Sequence, residues 1–163
     1  MVSQFTHFDE DGNAIMADVS QKAETVRIAA AVGRIYMSTN CFNAISSGTV
    51  KKGDVLGVAQ VAGIMATKST SGLIPLCHPL QIEQVRVEFE LLEDKSAIAV
   101  CCTVKTTGKT GVEMEALTGA TVALLTIYDM CKSIDKDMVI SEVFLEEKTG
   151  GKSGHYFNPR CCK

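Results

Sequence analysis

The spacing of apolar residues alternates between a period of two and a helical period along this chain, and this order limits the folds available. A period of two is typical of half-buried β-strands. Segments with this spacing, or with a β-rich composition, are residues 25–37, 85–91, 97–106 and 138–145. The polar residues 93–96 separate the middle two segments and predict a turn. We therefore expect four strands, the second and third of which form a hairpin.

Three segments have helical periodicity. Ser38 can cap a short helix that reaches Ile45, and Asp54 can cap a second helix. The second helix should end before residues 71–72, where serine and glycine disfavour its continuation. The longest periodic segment spans residues 112–132 and predicts the third helix.

The elements occur in the order strand, helices, hairpin, long helix and strand. This is the βαββαβ order of a ferredoxin-like α+β sandwich, in which helices pack on one face of an antiparallel sheet. The extra short helix departs from that plan. A chain of 163 residues is long enough for one domain with a genuine core. We predict a single catalytic domain over residues 1–163, with a loosely ordered N-terminal arm (1–20) and a flexible Gly/Lys loop and tail (148–163).

The charge balance excludes several kinds of partner. Sixteen basic and nineteen acidic residues give a net charge of −3, which provides no general attraction for nucleic acid or an anionic membrane. No apolar run approaches the roughly 18–20 residues that span a bilayer. The N-terminus has neither the basic and apolar regions of a secretory signal nor the arginines of a transit peptide. We therefore expect a cytoplasmic protein.

The cysteines do not indicate a metal centre. There are seven, an odd number without a C-x-x-C motif, and the side chains of Cys101 and Cys102 should point to opposite faces of a strand. His7, His78 and His155 are widely separated. A metal-dependent cyclohydrolase, which would need clustered Cys and His ligands, is therefore disfavoured. A non-catalytic sandwich that binds a nucleotide or a partner is an alternative that stays open.

The long helix carries the first candidate for catalysis. Asp129 and Lys132 have the i,i+3 spacing at which side chains meet, and Glu115 lies roughly 40° from Asp129 around the axis. A paired carboxylate and amine can perform acid–base catalysis. An ordinary surface ion pair is the alternative, but the preceding stretch 117–128 is uncharged. We expect the pair to lie at the edge of a cleft.

A second candidate is His78, within Ile74-Pro75-Leu76-Cys77-His78-Pro79-Leu80. The two prolines favour an extended, stiff connection on either side of it. Its imidazole can bind a phosphate or transfer a proton, although a capping or core histidine is the alternative. Adjacent Cys77 and His78 would point apart, which disfavours a nucleophilic pair.

Basic, glycine-containing loops are candidate phosphate ligands. The G-K-T at residues 108–110 lacks the first glycine of a P-loop, because Thr103 occupies that position. Residues 51–53 and 148–154 combine lysines with glycines, which suits a phosphate clamp but also a solvated loop. Substrate phosphates would therefore be bound by locally gathered lysines.

Several of these motifs together resemble a known family. The segments that carry the resemblance are 73–80 (LIPLCHPL), 107–118 (TGKTGVEMEALT), 128–132 (YDMCK), 148–154 (KTGGKSG) and much of the arm from Met16 to Arg27. They closely resemble the cyclic pyranopterin monophosphate synthase family, known as molybdenum cofactor biosynthesis protein C. The resemblance covers nearly the whole chain. Ala17 and the tail 156–163 depart from the family pattern.

The resemblance implies conversion of a cyclised dihydro-GTP, made by a radical-SAM partner enzyme, into cyclic pyranopterin monophosphate with release of pyrophosphate. It implies no redox cofactor, no obligatory metal, and a homo-hexamer (a trimer of dimers) with active sites between subunits. The implied catalytic residues are Asp129, Lys132 and Lys52. The implied substrate-binding residues are Leu76, Cys77, His78, Met114 and Glu115, with Arg27, Lys148 and Lys152 as phosphate ligands.

Overall fold

A computed structural model describes residues 7–9 and 11–162 of the chain. The long elements follow the predicted order of strand, helices, hairpin, helix and strand. Their bounds are β1 (Thr25–Tyr36), α1 (Thr39–Ser46), α2 (Val55–Lys68), α3 (Thr70–Leu73), β2 (Gln84–Leu92), β3 (Ala97–Gly108), α4 (Glu113–Cys131), β4 (Val139–Thr149) and β5 (Tyr156–Phe157). Short 3-10 turns occupy Glu93–Lys95 and Pro159–Cys162.

The strands form one antiparallel sheet in the order β2-β3-β1-β4-β5. Strand β1 is central and pairs with β3 on one side and β4 on the other. The β2–β3 pair is the predicted hairpin. The α+β class is confirmed, and the arrangement agrees with a ferredoxin-like sandwich.

Helices α2 and α4 pack against each other and against one face of the sheet. Close approach depends on small residues, because a Cβ on Gly63 would lie 3.0 Å from the carbonyl oxygen of Gly119. A Cβ on Gly119 would lie 2.5 Å from Cys102 Sγ on β3 and 2.7 Å from Thr67 Cγ2 on α2. Helix α4 is therefore held at a fixed position over the sheet by close packing.

Both predicted helix caps are present. The Ser38 side chain accepts a hydrogen bond from Cys41 N at the start of α1, and Asp54 accepts one from Gly57 N at the start of α2. These bonds satisfy backbone N–H groups that have no partner within the helix. The second cap also fixes the end of the loop that carries Lys52.

The prediction was wrong in three places along the chain. Helix α2 is followed directly by α3 (Thr70–Leu73), where we expected no further helix. Strand β4 continues to Thr149, beyond its predicted end at residue 145, so Lys148 belongs to a strand. The tail forms the short strand β5 (Tyr156–Phe157) at the sheet edge. No helix among the described residues is long and apolar enough to cross a membrane.

Candidate active site

The carboxylate of Asp129, near the end of α4, lies between two lysines. Its Oδ1 is 2.7 Å from Lys132 Nζ, and its Oδ2 is 3.1 Å from Lys52 Nζ. Lys52 comes from the α1–α2 loop and also donates a 2.7 Å hydrogen bond to the Asp129 carbonyl. We call Asp129, Lys132 and Lys52 the acid–base cluster. All three side chains are exposed, Asp129 at 59%.

The two lysines set the charge of the cluster. The hydrogen bond from Lys132, followed by that from Lys52, holds the pKa of Asp129 below its usual value. The hydrogen bond and the negative charge of Asp129 in turn raise the pKa of Lys132. At neutral pH the cluster therefore presents an ionised carboxylate held by an ammonium group of its own helix.

A cavity of about 270 Å³ lies at the other end of α4, and we call it the inner cleft. Its lining includes all five residues predicted to bind the substrate other than its phosphates: Leu76, Cys77, His78, Met114 and Glu115. Glu115 is only 4% exposed, and burial raises the pKa of its carboxyl group, with a smaller contribution from the charge of Glu113. Burial, followed by the charge of Glu115, raises the pKa of Cys77 and keeps it a thiol.

A second cavity of about 690 Å³ adjoins the first, and we call it the basic cleft. Lys22, Thr110, Gly111 and Glu113 line both cavities. Five cationic side chains line the basic cleft: Lys22, Arg27, Lys109, Lys148 and Lys152. Glu113 is the one carboxylate among its described lining residues, and its Oε1 lies 3.0 Å from Lys148 Nζ. The arrangement can bind a highly charged anion.

Arg27 is held in the basic cleft by backbone groups. Its Nε donates to the Gly108 carbonyl at 3.3 Å, and its Nη2 donates to the Lys109 carbonyl at 3.4 Å. The guanidinium lies against Gly151, where a Cβ would collide with Nη1. Gly151 also has a φ of +75°, which favours glycine. The glycines of the KTGGKSG motif thus leave room for Arg27.

The acid–base cluster and the two clefts lie at opposite ends of α4. Glu115 is in its first turn, while Asp129 is fourteen residues later, about 21 Å along the axis. None of the three cluster residues lines either cleft. Glu115 and Asp129 lie roughly 40° apart around the axis, as the sequence predicts, but one is buried in a cleft and the other lies on an open surface. Within one chain the predicted residues therefore form two separate groups.

Among the residues that line these cavities, sequence reasoning missed four with titratable side chains: His7, Lys22, Lys109 and Glu113. Lys109 and Glu113 lie inside the motif at 107–118, and Lys22 lies inside the arm motif. For these three residues, a charged side chain within a family motif was the signal that could have indicated a place in the site. That signal does not predict whether the side chain points toward a cavity or away from it.

The chain has close relatives of known name. The model of the MoaC family matches residues 16–151. A cyclic pyranopterin monophosphate synthase of Clostridium botulinum (strain Alaska E43 / Type E3) is 59% identical over 158 residues, which cover 97% of this chain and 99% of that protein. The protein of the same name from Thermoanaerobacter pseudethanolicus is 60% identical over 151 residues, with 93% and 96% covered. The one from Geobacillus kaustophilus is 53% identical over 157 residues, with 95% and 97% covered. This chain therefore belongs to the MoaC family.

Proposed function

We propose that this protein is a cyclic pyranopterin monophosphate synthase of molybdenum cofactor biosynthesis. Its substrate is the cyclised dihydro-GTP 3',8-cyclo-7,8-dihydro-GTP, and its products are cyclic pyranopterin monophosphate and pyrophosphate. The observation that carries the proposal is the junction of a five-cation cleft with a cleft that holds a buried carboxylate. The names of the relatives support the same reaction.

The basic cleft would bind the triphosphate. Closure of a cyclic phosphate expels pyrophosphate, so negative charge accumulates on the leaving group as the bond breaks. Cations positioned around that group stabilise the charge in the transition state. We assign Arg27, Lys148 and Lys152 as ligands of the triphosphate. Arg27 is already held in place by its hydrogen bonds to the backbone carbonyls of Gly108 and Lys109. Pre-positioned donors need little reorganisation during the reaction.

The inner cleft would bind the ring system. Leu76 and Met114 provide apolar contacts, while His78 and Glu115 provide hydrogen-bonding groups beside them. Because burial raises the pKa of Glu115, its protonated form is more accessible than that of an exposed carboxylic acid. A ring nitrogen or exocyclic amine can then be bound in a defined orientation.

The acid–base cluster would complete the site from a neighbouring subunit. A general acid or base must come within about 2.6–3.2 Å of the heavy atom with which it exchanges a proton, and the cluster of the same chain is too distant from the clefts. Self-association is supported by exposed apolar side chains on α2 and α4, including Val61 at 61%, Met65 at 57% and Leu125 at 53% exposure. We infer a homo-hexamer, a trimer of dimers. In it, Asp129 removes protons while Lys132 and Lys52 donate them or stabilise negative charge.

The chemistry also implies a place in a sequence of reactions. The cyclised substrate requires a radical-SAM enzyme upstream, and this protein would act directly on its product. We expect both steps to occur in the cytoplasm. As the resemblance implies, we expect the cyclisation to need neither a redox cofactor nor an obligatory metal.

The decisive experiment incubates the purified protein with the cyclised dihydro-GTP and measures cyclic pyranopterin monophosphate and pyrophosphate. We expect turnover by the wild type and loss of about 10²–10⁴-fold in Asp129→Asn. Asp94→Asn, on the exposed β2–β3 turn, is the matched control and should stay active. Binding of the substrate without turnover by the wild type would instead indicate a non-catalytic nucleotide-binding module. Loss of wild-type turnover on chelation would indicate a metal-dependent enzyme.

A further inference from the structure

We propose that residues 155–158, which we call the strap, hold the Gly/Lys loop 150–154 in place for phosphate binding. In this proposal His155 and Asn158 are positioning residues. The inference rests on the proposed function, because it takes the lysines of the basic cleft as ligands of the triphosphate. The match of the family model ends at residue 151, before the strap begins. None of the strap residues, all of which the structure describes, lines either cleft, so their effect on a ligand must be indirect.

The strap closes a hairpin around the Gly/Lys loop. Phe157 pairs with Glu147, and Tyr156 pairs with Lys148, so that β4 and β5 flank residues 150–154. Three of the five loop residues are glycine. A segment so rich in glycine loses more backbone entropy on ordering than other segments do. Contacts at the two ends of the loop can offset part of that cost before any ligand binds.

Asn158 joins the far end of the strap to β4. Its backbone N donates a 2.7 Å hydrogen bond to the Glu146 carbonyl, and its Nδ2 donates a 3.0 Å bond to the Leu145 carbonyl. Its Oδ1 accepts a 3.0 Å bond from Arg160 N, which sets the orientation of the amide. The side chain therefore extends the pairing beyond the two residues of β5. Because so short a strand pairs weakly by itself, this extension should decide whether β5 stays on β4.

His155 links the two sides of the hairpin next to the loop. Its Nε2 lies 2.7 Å from Oε1 of Glu147, the residue before Lys148. An ionised carboxylate can only accept a hydrogen bond, so the ring nitrogen is the donor. Both side chains are exposed, His155 at 61%, and an exposed contact of this kind is weak. We therefore expect His155 to contribute less than Asn158.

The strap acts on two lysines of the basic cleft through this hairpin. Lys148 lies opposite Tyr156, and its Nζ donates a 2.7 Å bond to Ser153 Oγ in the loop. Lys152 precedes Ser153, and it lines the basic cleft together with Lys148. With the strap paired, the backbone that carries both lysines is held at the cleft before a ligand arrives. Without the strap, the ligand would have to order the loop, and that cost would weaken binding.

The first test compares Asn158→Ala with the wild type in calorimetric titrations with inorganic pyrophosphate. We expect binding to weaken about 3–10-fold, because the ligand must then order the loop. His155→Leu should weaken binding about 2–3-fold. His155→Gln retains an N–H donor and should recover most of that loss. Asn43→Ala, at an exposed position of α1, is the matched control and should bind pyrophosphate normally.

Hydrogen exchange and kinetics separate a positioning role from a general loss of stability. In ligand-free Asn158→Ala the amides of residues 150–157 should exchange faster, while those of α4 should keep their wild-type rates. Saturating pyrophosphate should slow the exchange of residues 150–157 again, because the ligand orders the loop. With the cyclised substrate, KM should rise by a factor similar to the loss in pyrophosphate affinity, while kcat changes little.

Four outcomes would overturn the inference. Two concern binding: unchanged pyrophosphate affinity in Asn158→Ala, or no binding of pyrophosphate by the wild type, which would remove the lysines as phosphate ligands. The third is an exchange rate that is unchanged in residues 150–157 or equally raised in α4. The fourth is a fall in kcat at unchanged KM, which would assign Asn158 to the chemical step. Failure of the proposed function is distinct, since it would appear as wild-type binding of pyrophosphate and substrate without turnover.

Discussion

Mixing two inactive variants tests whether the active site is divided between subunits. Asp129→Asn removes the carboxylate of the acid–base cluster, and Lys148→Ala removes a cation of the basic cleft. We expect each variant alone to be nearly inactive. After both are unfolded and refolded together, oligomers that contain both kinds of subunit should regain activity.

The expected recovery follows from the separation along α4. About 21 Å of helix separates the two groups. In the proposed oligomer, each site would therefore take its cluster from one subunit and its clefts from another. In a random equimolar mixture half the clusters and half the clefts are intact. About 25% of the sites then combine two intact halves, if subunits assemble without preference. Activity should approach a quarter of the wild-type value per subunit.

A second mixture provides the control. Asp129→Asn and Lys132→Ala both damage the acid–base cluster, so every cluster in their mixture carries one defect. That mixture should stay inactive. Native mass spectrometry would verify that mixed oligomers have formed in both cases. The idea of a shared site is refuted if mixed oligomers of the first pair are no more active than their parents.

Three further predictions concern stability, pH and phosphate affinity. Gly119→Ala should lower the free energy of unfolding by about 1–3 kcal/mol through overpacking, offset by up to about 1 kcal/mol from the better helix propensity of alanine. Gly72→Ala is the control, because no atom lies within 4 Å of a Cβ at that position. In denaturant titrations this control should be neutral or stabilising. Lys132→Met removes the largest cause of the low pKa of Asp129, so that pKa should rise. An NMR titration of the Asp129 carboxyl group should then show it ionising at higher pH than in the wild type. Glu113→Gln removes the carboxylate that pairs with Lys148 in the basic cleft and so frees the lysine for the ligand. Calorimetry should then show roughly fivefold tighter binding of pyrophosphate. Unchanged affinity would mean that the ion pair does not compete with the ligand.

The fold was largely predictable because its long elements bury one face. In α4, Leu124 and Ile127 keep the helical spacing and are fully buried. The period of two in β1 predicted the strand but not its buried face, because Val26 and Ile28 are exposed whereas Ala29 and Ala31 are buried. The strand Tyr156–Phe157 was missed since two exposed residues are too few to create a period. Helix α3 (Thr70–Leu73) was missed for a related reason: it has four residues, and serine and glycine at its centre normally indicate a break.

The site was predictable only where its contacts are local. The Asp129–Lys132 pair is an i,i+3 contact on one helix, which spacing alone predicts and the structure contains. Lys52 lies 77 residues before Asp129, so no periodicity relates them. The composition of its loop indicated only a candidate phosphate ligand, and the family resemblance alone grouped Lys52 with Asp129. Lys22 lies at the clefts because of the turn at residues 19–22 and the hydrogen bond from Lys109 to the Ser20 carbonyl, which are tertiary features without a sequence signature.

Two of the three carboxylates of α4, Glu115 and Asp129, have environments that push their pKa values in opposite directions, and we propose that this difference suits them to different roles. Glu115 is buried, which raises its pKa, while hydrogen bonds from two lysines lower the pKa of Asp129. Groups that diverge in this way are suited to different steps of a proton-transfer reaction. Glu115 is suited to orient the ring, because its buried carboxyl group can share or donate a proton there. Asp129 remains ionised and can accept protons, provided that another subunit brings it to the clefts.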